Sequence, residues 1–581
     1  MRVVRYLRML TNSLLVGSVA ALYLTLLVVL LNPALPLTFG ATMPLFGVLL
    51  LSYGIHIAAA TYVAFVVRQI AAAEPVWPAW VSLRVLAWTS GVAGVSVALL
   101  LWFNVRGLRT ALDPPTLTAL TQGAIVLGAG GALALILALT RTFVQRGPVV
   151  VASLFTVIAL ASISAPLVLR GGGLPPGHPS LPEDTGAATP ADAPRAIVIL
   201  LDGASLDVIS PAVAAGRLPN FGRLLDNGVS MHLATARPTQ PEPVWTTVMT
   251  GKWPAKHGIL GAAVYRPFTG GRSIDVLPDL LFTQALLRFG FLVEQPYTTA
   301  SLGATPLWRI LSRQSVTAGV VGLPLTHPAE PLAGFMVSDR FHRRFRTVAD
   351  LASRAAFYPP DISDDVLNAS DDAEGNPWLA QLDLLPATGE SGADVAADRV
   401  HHEVAEQLAA AEPVRVLLVR YAGLDAVAHY YLRYAMPQAF GDVSEEERER
   451  FGRVLDDYYA YVDSLVGTAL QSLRPHDLLL VVSGFGMEPL TPGKRLLERA
   501  VGDARFSGTH ERAPDGFLLA FGGGVASGRL SRGAIVDVAP TLLYFLDQAI
   551  GRDMDGFART DIFTAAFNAD HTITFIPTYD R

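Results

Sequence analysis

Hydrophobic residues are concentrated in the first third of the chain, where they form long unbroken runs. Five of these runs are close to the roughly 20 residues that a helix needs to cross a bilayer core. They span 13–31, 45–67, 85–103, 117–139 and 149–169. None of the five contains Asp, Glu, Lys or Arg, so none indicates a proton relay or an ion path. The pattern predicts a transmembrane domain of five helices over residues 1–170.

After residue 170 the apolar runs become short and alternate with polar segments. Residues 171–194 are rich in Gly, Pro and small polar residues, which predicts a flexible linker. Beyond it, short apolar runs end in Asp, Gly, Ser or a proline-rich turn; they include 196–201, 316–322, 414–419, 478–482 and 517–521. Such strands, with helical segments between them, are typical of a parallel sheet buried on both faces. Residues 195–581 are therefore predicted to form a doubly wound α/β domain with a mostly parallel central sheet.

Charge follows the same division of the chain. The protein has 44 basic and 50 acidic side chains and a net charge of −6. Residues 1–170 carry ten Arg and two acidic residues, a net +8, so the remainder carries −14. An acidic globular region disfavours nucleic acid as a partner, because a nucleic-acid backbone needs a basic surface. The absence of cysteine excludes disulfides, thiol catalysis and Cys-ligated metal sites.

The arginines of the first region predict an orientation in the membrane. Arginines precede the first run and flank the loops after the second and fourth runs, whereas the first loop carries no charge. By the positive-inside rule the N-terminus is cytoplasmic, although Arg106 and Arg109 in the third loop do not follow the rule. Five spans then place everything after residue 170 outside. We expect a multi-pass protein of the plasma or inner membrane with an extracytoplasmic C-terminal domain.

Three polar clusters follow the predicted strands, where parallel sheets carry their chemistry. Asp202 comes directly after the strand 196–201, and His510 lies in a loop of small residues. Asp425 and His429 are spaced i, i+4, so a helix presents both on one face. Carboxylate and imidazole are common ligands of zinc and manganese. Each cluster also has an ordinary interpretation. Asp202 could cap a helix, the spacing of Asp425 and His429 could arise by chance, and His510 could be a solvated loop histidine.

The order of these clusters resembles the alkaline phosphatase superfamily, and within it the type I phosphodiesterase/nucleotide pyrophosphatase branch. The resemblance runs from about residue 195 to the C-terminus. It is carried by RAIVILLDG (195–203), TTVMTGKWPAKHGI (246–259), YAGLDAVAH (421–429), VVSGFGM (481–487), GTHERAPDGFLLAFG (508–522) and IVDVAPTLLYFL (535–546). Five spans before such a domain also resemble the membrane enzymes that build lipoteichoic acid or add phosphoethanolamine to lipid A, an analogy of architecture alone.

The resemblance implies a pattern of metal ligands. In this superfamily two metal ions, usually zinc, flank an in-line phosphoryl displacement. A Thr or Ser at a helix N-terminus is the nucleophile. Matching the motifs to this sequence assigns Asp425, His429 and His510 to the first metal. Asp202, the nucleophile and an Asp–His pair of a Ser-Asp-His-Gly motif are assigned to the second.

The sequence departs from that pattern in two places. The segment that matches the Ser-Asp-His-Gly motif is Ser483–Gly484–Phe485–Gly486, so the Asp and the His are both missing. The nucleophile's place falls on Pro241, which has no hydroxyl; Thr239 and Glu242 are the nearest candidates for the missing role. We therefore expect one tightly bound divalent ion, zinc or alternatively manganese, with Thr239 as the candidate catalytic residue.

Two classes of function remain open. The first is a membrane-bound, metal-dependent phosphoester or phosphodiester hydrolase, or a headgroup transferase. Its substrate would be a phosphorylated lipid or envelope component outside the cytoplasm. The second is a catalytically impaired pseudoenzyme of the same fold that binds a ligand or a partner. A three-ligand site with an open position favours the enzyme, whereas the combined loss of the nucleophile and two ligands favours the pseudoenzyme.

Overall fold

The computed structural model describes residues 2–71, 79–143, 148–170, 193–279, 281, 283–341, 355–362, 366, 390–512 and 514–580. The predicted linker, 171–194, lies outside the described residues except for its last two positions. The chain divides into two compact units. Unit 1 is Met1–Pro175 with Ala263–Pro296, and unit 2 is Pro176–Ala262 with Tyr297–Arg581.

Helices and strands alternate through most of the described chain. The α-helices are α1 (Arg2–Leu31), α2 (Phe39–Leu49), α3 (Ile55–Ala71), α4 (Leu83–Gly107), α5 (Pro114–Phe143), α6 (Pro148–Leu169), α7 (Leu206–Ala214), α8 (Pro219–Asn227), α9 (Pro241–Thr250), α10 (Pro254–His257), α11 (Thr283–Arg288), α12 (Leu307–Arg313), α13 (Glu390–Ala411), α14 (Gly423–Ala435), α15 (Glu445–Phe451), α16 (Val454–Ser472), α17 (Pro492–Val501), α18 (Val538–Phe545) and α19 (Ala565–Asp570). The strands are β1 (Ala196–Leu201), β2 (Val229–Ala234), β3 (Ala263–Pro267), β4 (Leu292–Pro296), β5 (Ala318–Val321), β6 (Gly334–Val337), β7 (Phe357–Tyr358), β8 (Val416–Tyr421), β9 (Leu478–Phe485), β10 (Glu488–Pro489), β11 (Gly508–Thr509), β12 (Asp515–Gly522), β13 (Gly528–Arg529), β14 (Gly533–Ala534), β15 (Ile550–Gly551) and β16 (Phe575–Ile576).

Unit 1 contains the predicted apolar helices. Within the described residues, five helical segments are long and apolar enough to cross a membrane. They are α1, the continuous segment Phe39–Ala71, α4, α5 and α6. The segment Phe39–Ala71 joins α2 and α3 through a π-helical turn, Leu50–Gly54. These helices are consistent with membrane anchoring, while the orientation stays a prediction.

Unit 1 also includes a segment that the sequence interpretation assigned to the globular domain. The strands β3 and β4 pair antiparallel within Ala263–Pro296. Asn32 at the start of the first loop accepts the N–H groups of Asp275 and Val276 at 2.9 Å and donates to the Val276 carbonyl at 2.8 Å. Asn104 likewise accepts from the N–H of Asp279 at 2.7 Å. Tertiary hydrogen bonds to two asparagine side chains thus attach this segment to the helices.

Unit 2 is built on a mixed sheet that is mostly parallel, as predicted. Its strand order is β13-β2-β12-β9-β1-β8-β5-β6-β7, and β14 also pairs with β2. The five central strands β9, β1, β8, β5 and β6 run parallel, while β12 and β7 join antiparallel. All residues of β1 and β9 are buried, which explains why their sequences are apolar without alternation.

Helices cover the sheet, and the parallel pairing of its central strands places their C-terminal ends at one edge. Ile197, Ile199 and Leu201 face a core formed with α7, α8, α13, α14 and α16. Helices α9 and α12 contact β9 and β5, respectively. The fold is therefore the predicted α/β arrangement. Because β1, β8 and β9 are parallel neighbours, the residues that follow them meet at the same edge of the sheet.

A buried ion pair joins α12 to the segment before β6. The Arg309 guanidinium donates from Nε to Glu330 Oε1 at 2.8 Å and from Nη2 to Oε2 at 2.6 Å. Trp308 Nε1 donates to the same carboxylate at 2.6 Å. The Arg309 and Glu330 side chains are only 3% and 4% exposed. A carboxylate this deep has lost its contact with water, and these hydrogen bonds from Arg309 and Trp308 replace it.

Replacing Arg309 alone should destabilise the protein strongly. Arg309→Met leaves the Glu330 charge buried without a counter-charge, so the free energy of unfolding should fall by about 3–5 kcal/mol. The double variant Arg309→Met/Glu330→Gln should lose much less, since the amide oxygen still accepts from Trp308. Denaturation of the full chain in detergent would measure both variants. Equal losses in the two would show that the charge is not what makes the site sensitive.

Candidate metal centre

Three predicted ligands, far apart in sequence, converge at the sheet edge. One ligand atom from each of Asp425, His429 and His510 lies within 4.8 Å of the other two. Asp425 and His429 lie on α14, which follows β8, and His510 follows β11. Asp425 Oδ2 is 3.3 Å from His429 Nε2, and the two imidazole rings are 5.2 Å apart. The structure therefore brings together the geometric core of the site that the sequence predicted.

Main-chain carbonyls orient both imidazole rings. His429 Nδ1 lies 2.8 Å from the Gly508 carbonyl oxygen, and His510 Nδ1 lies 2.6 Å from the Thr239 carbonyl oxygen. A carbonyl oxygen only accepts, so Nδ1 carries the proton in both rings. In the neutral form of each ring, Nε2 then carries the lone pair that can bind a ligand. Metal-binding histidines are held in this way in proteins.

The charges of the three groups are balanced within the cluster. Burial disfavours the charged form of His429, but the Asp425 carboxylate outweighs burial and raises the pKa of His429. Burial also disfavours the charged form of Asp425, and there the two histidines outweigh it and lower the pKa of Asp425. For His510, burial dominates and lowers the pKa. Without a cation, Asp425 therefore favours the protonated form of His429. A divalent cation between the three groups would take the place of that proton, so metal binding should release it.

Two glycines allow the segments of the site to approach closely. Gly203 has φ of +73°, and a Cβ at this position would lie 3.0 Å from the Asp425 Cα. A Cβ at Gly508 would lie 2.6 Å from the Ala428 carbonyl oxygen. Larger residues at either position would push α14 away from the loops that face it. These contacts explain why glycine follows Asp202 and precedes Thr509.

The residues present fit one divalent cation. Asp425 Oδ1 is buried and has no hydrogen-bond partner among the described residues. An unpaired buried carboxylate oxygen is costly unless a cation or water occupies the space beside it. Two imidazoles and one carboxylate form a three-ligand set with an open position, which is the donor set of catalytic zinc sites.

Asp202, which the resemblance assigns to a second metal, instead binds side chains of the protein. Its carboxylate accepts from Arg420 Nε at 3.1 Å, from Arg420 Nη2 and from Trp245 Nε1 at 2.7 Å. The residue is 1% exposed. A guanidinium therefore satisfies the charge that a second cation would otherwise balance. The side chains around Asp202 do not fit a second metal.

The segment Ser483–Gly486, which departs from the family's Ser-Asp-His-Gly motif, contributes apolar packing in place of ligands. Phe485 is fully buried, and its ring lies 5.0 Å from the ring of His510. The Ser483 hydroxyl donates to the carbonyls of Ala204 and Phe485, each at 2.9 Å. These contacts leave no oxygen or nitrogen ligand at the two positions where the family pattern has Asp and His. The expectation of a single ion agrees with this chemistry and stays a prediction.

Thr239 occupies the expected loop, but its contacts give it a positioning role. Its hydroxyl donates to the Ala236 carbonyl at 3.0 Å, and the residue is 1% exposed. Its own carbonyl accepts from His510, as described above. Pro241 is the first residue of α9, so the helix N-terminus that holds the nucleophile in the family pattern carries no hydroxyl here. The role of Thr239 as nucleophile stays a prediction.

Glu242, in the first turn of α9, is a half-buried acid near this edge. Its Oε2 atom is buried and lacks a hydrogen-bond partner among the described residues. Burial raises the pKa of Glu242 to about 8, an effect that Arg420 opposes and Asp202 reinforces. At neutral pH the carboxyl group is therefore largely protonated and can donate a proton.

The motif TGKWPAKHGI (250–259), one of the segments that carry the resemblance, makes structural contacts. His257 is fully buried, and its Nε2 lies 3.0 Å from the Thr247 hydroxyl. Lys252 Nζ forms an ion pair with Asp553 at 2.6 Å. Lys256 Nζ pairs with Asp555 at 2.6 Å. This motif fixes the end of α9 against the C-terminal segment.

Sequence reasoning missed Arg420 and Trp245 as residues of the site. Arg420 is the single charged residue in the apolar strand β8, directly before the motif that supplies Asp425. A charge inside a buried parallel strand needs a partner of opposite charge. Asp202, at the end of the neighbouring strand, could have been recognised as that partner. No comparable signal marks Trp245, which lies among other buried residues of α9.

A comparison with protein-family models agrees with this fold. The family model for type I phosphodiesterase/nucleotide pyrophosphatase matches residues 196–523, more than half of the chain. The chain belongs to this family of divalent-metal-dependent phosphoester hydrolases within the alkaline phosphatase superfamily. No curated protein matches the chain significantly.

Solved structures of a mammalian family are similar to part of the chain. One is a structure of an inactive variant of murine ectonucleotide pyrophosphatase/phosphodiesterase 5 in complex with AMP. Its sequence is 13% identical to this chain, and the TM-score is 0.36. A second structure of the same murine protein is 14% identical, with a TM-score of 0.37. The human protein is 15% identical, with a TM-score of 0.36. Each comparison covers 64% of this chain and all of the other.

Metal content should distinguish the three-ligand site from a two-metal site. Purified full-length protein, loaded with zinc and dialysed, should hold about one ion per chain. His429→Ala and His510→Ala should each lose most of it, because each removes one of three ligands. His327→Ala, a histidine outside the cluster, is the matched control and should keep its metal. Two ions per chain by mass spectrometry would contradict a single-ion site.

Glu242 should make the stability of the metal-free protein depend on pH. Its pKa is about 8 in the native state against an ordinary 4.5, so between these values the native state holds a proton that the unfolded state releases. Stability should therefore fall as pH rises through this window, by up to ~1.4 kcal/mol per pH unit. It should level off above about pH 8.

Thermal unfolding of the full chain with a chelator present would measure this dependence. Glu242→Gln should flatten the fall in melting temperature between pH 4.5 and 8 relative to the wild type. Glu412→Gln, an exposed glutamate, is the control and should follow the wild-type curve. Parallel curves for the wild type and Glu242→Gln would show that Glu242 titrates normally.

Proposed function

We propose that this protein is a metal-dependent phosphoester hydrolase that works with a single divalent ion held by Asp425, His429 and His510. The observation that carries the proposal is the orientation of the two imidazoles. Both present Nε2 to the cluster while Nδ1 is bound to a main-chain carbonyl. Asp425 Oδ1 adds a buried oxygen without a partner among the described residues.

Zinc is the proposed metal, because two imidazoles and one carboxylate suit zinc better than the harder oxygen-preferring ions. A zinc ion in this site supplies Lewis-acid polarisation of a phosphoryl oxygen and activation of water near neutral pH. Manganese is the alternative with a similar preference for mixed nitrogen and oxygen ligands. The protein's part is to hold the three ligands in one arrangement before substrate binds.

Arg420 provides the second positive charge of the proposed site. Its guanidinium is fixed by Asp202 on one side, and Nη1 donates weakly to the Gly322 carbonyl at 3.4 Å. A guanidinium suits phosphate oxygens, because its planar fork matches their geometry. Unlike a metal ion, it cannot activate a hydroxyl nucleophile. Direct attack by water is therefore the proposed reaction.

Glu242 and Thr239 complete the proposed roles. With its pKa raised to about 8, the Glu242 carboxyl group is protonated at neutral pH and is suited to donate a proton to the leaving group. Thr239 acts through its carbonyl, which holds the His510 ring. In the alternative mechanism, its hydroxyl leaves the Ala236 carbonyl and attacks phosphorus itself.

The proposed substrate is a phosphodiester at the outer surface of the membrane, either a lipid headgroup or a unit of an envelope polymer. Five apolar helical segments support a location at a membrane, and the arginine distribution supports an extracytoplasmic active domain. Transfer of a headgroup to an acceptor other than water is the closest variant of this reaction. No nucleic-acid partner is proposed.

A second candidate function is a binding protein without catalysis. Two specific features favour it: Pro241 where a hydroxyl is expected, and Phe485 packed against His510. In this case the metal and Arg420 would hold a phosphorylated ligand without cleaving it. The two functions differ in one measurable property, turnover.

Hydrolysis of a chromogenic phosphodiester by the full chain tests the proposal. Zinc-loaded protein should cleave bis(p-nitrophenyl) phosphate, and His429→Ala should reduce kcat/KM by at least about 100-fold, since it removes a metal ligand. Thr239→Ala should keep most of the activity, because alanine retains the carbonyl that binds His510. Release of p-nitrophenol gives the rate.

Three results would contradict this proposal. Equal rates for the wild type and His429→Ala would exclude a metal enzyme at this site. Complete loss of turnover in Thr239→Ala, with unchanged metal content, would identify its hydroxyl as the nucleophile. Tight binding of phosphate by a wild-type protein that shows no turnover would establish the binding function.

A further inference from the structure

Unit 1 contains a cavity of about 770 Å³ between α1, α3 and α4. This volume is in the range of about 300–1,000 Å³ that is usual for small-molecule sites. Most of its wall is apolar and includes Val16, Phe65, Trp88 and Val92. Trp88 is 36% exposed, so the wall communicates with the surroundings of the helices. In a membrane, those surroundings are lipid.

One end of the cavity is polar and positively charged. Arg68 in the last turn of α3 and Arg84 in the first turn of α4 both line it. Within the described part of the chain, neither arginine forms an ion pair. Asn12 and Ser82 lie at the same end, where Asn12 Oδ1 accepts from the Ser82 N–H at 2.9 Å. This hydrogen bond ties the start of α4 to α1.

The charged end has little negative charge near it in sequence. Residues 1–112 contain a single acidic residue, Glu74, in a segment outside the described residues. Both arginines flank the loop that the positive-inside rule assigns to the cytoplasmic face. The cytoplasmic leaflet is the one that carries anionic lipids, and basic pockets between transmembrane helices on that side bind anionic headgroups.

The apolar wall and the charged end have different effects on a lipid. Lipid chains are as apolar as the helices, so a chain gains little free energy by moving from the bilayer into the cavity. The wall therefore selects by shape. Two arginines at the mouth attract a phosphate strongly, because a phosphate at this depth is only partly hydrated. Preference for one lipid headgroup over another must therefore come from the charged end.

We propose that this cavity binds one anionic phospholipid, with an acyl chain in the apolar part and the phosphate between Arg68 and Arg84. The proposal is independent of the phosphoesterase function, because every residue that it uses lies in the first three membrane-spanning segments or the ends of the loop between them. The lipid would join α3 to α1 and α4, filling the gap between these helices.

Lipid retention by the purified full chain tests this site. Protein reconstituted in nanodiscs of phosphatidylcholine and phosphatidylglycerol, then released into mild detergent, should retain one phosphatidylglycerol per chain by native mass spectrometry. In Arg68→Gln/Arg84→Gln the retention of phosphatidylglycerol should fall by about fivefold for each arginine removed. Arg106→Gln/Arg109→Gln, which removes one arginine from the last turn of α4 and one from the loop after it, is the matched control and should retain the lipid.

Two further variants keep the test decisive if the double glutamine variant does not fold. Arg68→Lys/Arg84→Lys keeps both charges and should retain most of the phosphatidylglycerol. Ala93→Phe, which fills the apolar part of the cavity, should reduce retention of both phospholipids. Equal retention of phosphatidylcholine and phosphatidylglycerol by the wild type would overturn the proposal. So would equal losses in the test and control arginine pairs.

Discussion

The two hydrogen bonds from the histidine Nδ1 atoms to main-chain carbonyls are the interactions on which the candidate centre depends. They fix both rings, determine which nitrogen carries the proton, and direct the remaining lone pairs toward Asp425. Each acceptor belongs to a different segment of unit 2, so the fold itself holds the ligand geometry. Without these bonds the rings could rotate, and the three side chains would be an ordinary polar cluster at the end of a sheet.

The pairing of Arg420 with Asp202 supports the proposal of a single ion. In a two-metal site a buried aspartate at this position would be balanced by a cation. Here a guanidinium from the neighbouring strand balances it, and Phe485 fills the place of a further ligand. In the proposed single-ion site, the Arg420 guanidinium takes the place of a second divalent ion, and a guanidinium cannot activate a hydroxyl. The missing nucleophile at Pro241 is consistent with that change.

The sequence predicted the features that depend on local pattern and missed those that depend on tertiary contact. Continuous apolar strands led to the sheet, and the i, i+4 spacing paired Asp425 with His429. The family resemblance added His510 to that pair. The attachment of Ala263–Pro296 to the membrane unit rests on asparagine side chains distant in sequence. The carbonyl role of Thr239 was invisible for a similar reason, because a main-chain acceptor has no signature in residue type.

Binding of one cation between Asp425, His429 and His510 can be observed directly. Diffraction from crystals of the zinc-loaded protein, measured on both sides of the zinc absorption edge, locates every bound zinc ion. We expect one anomalous peak, about 2.0–2.1 Å from the Nε2 atoms of both histidines. A peak beside Asp202, or no peak between the three ligands, would show that the proposed single-ion centre is wrong.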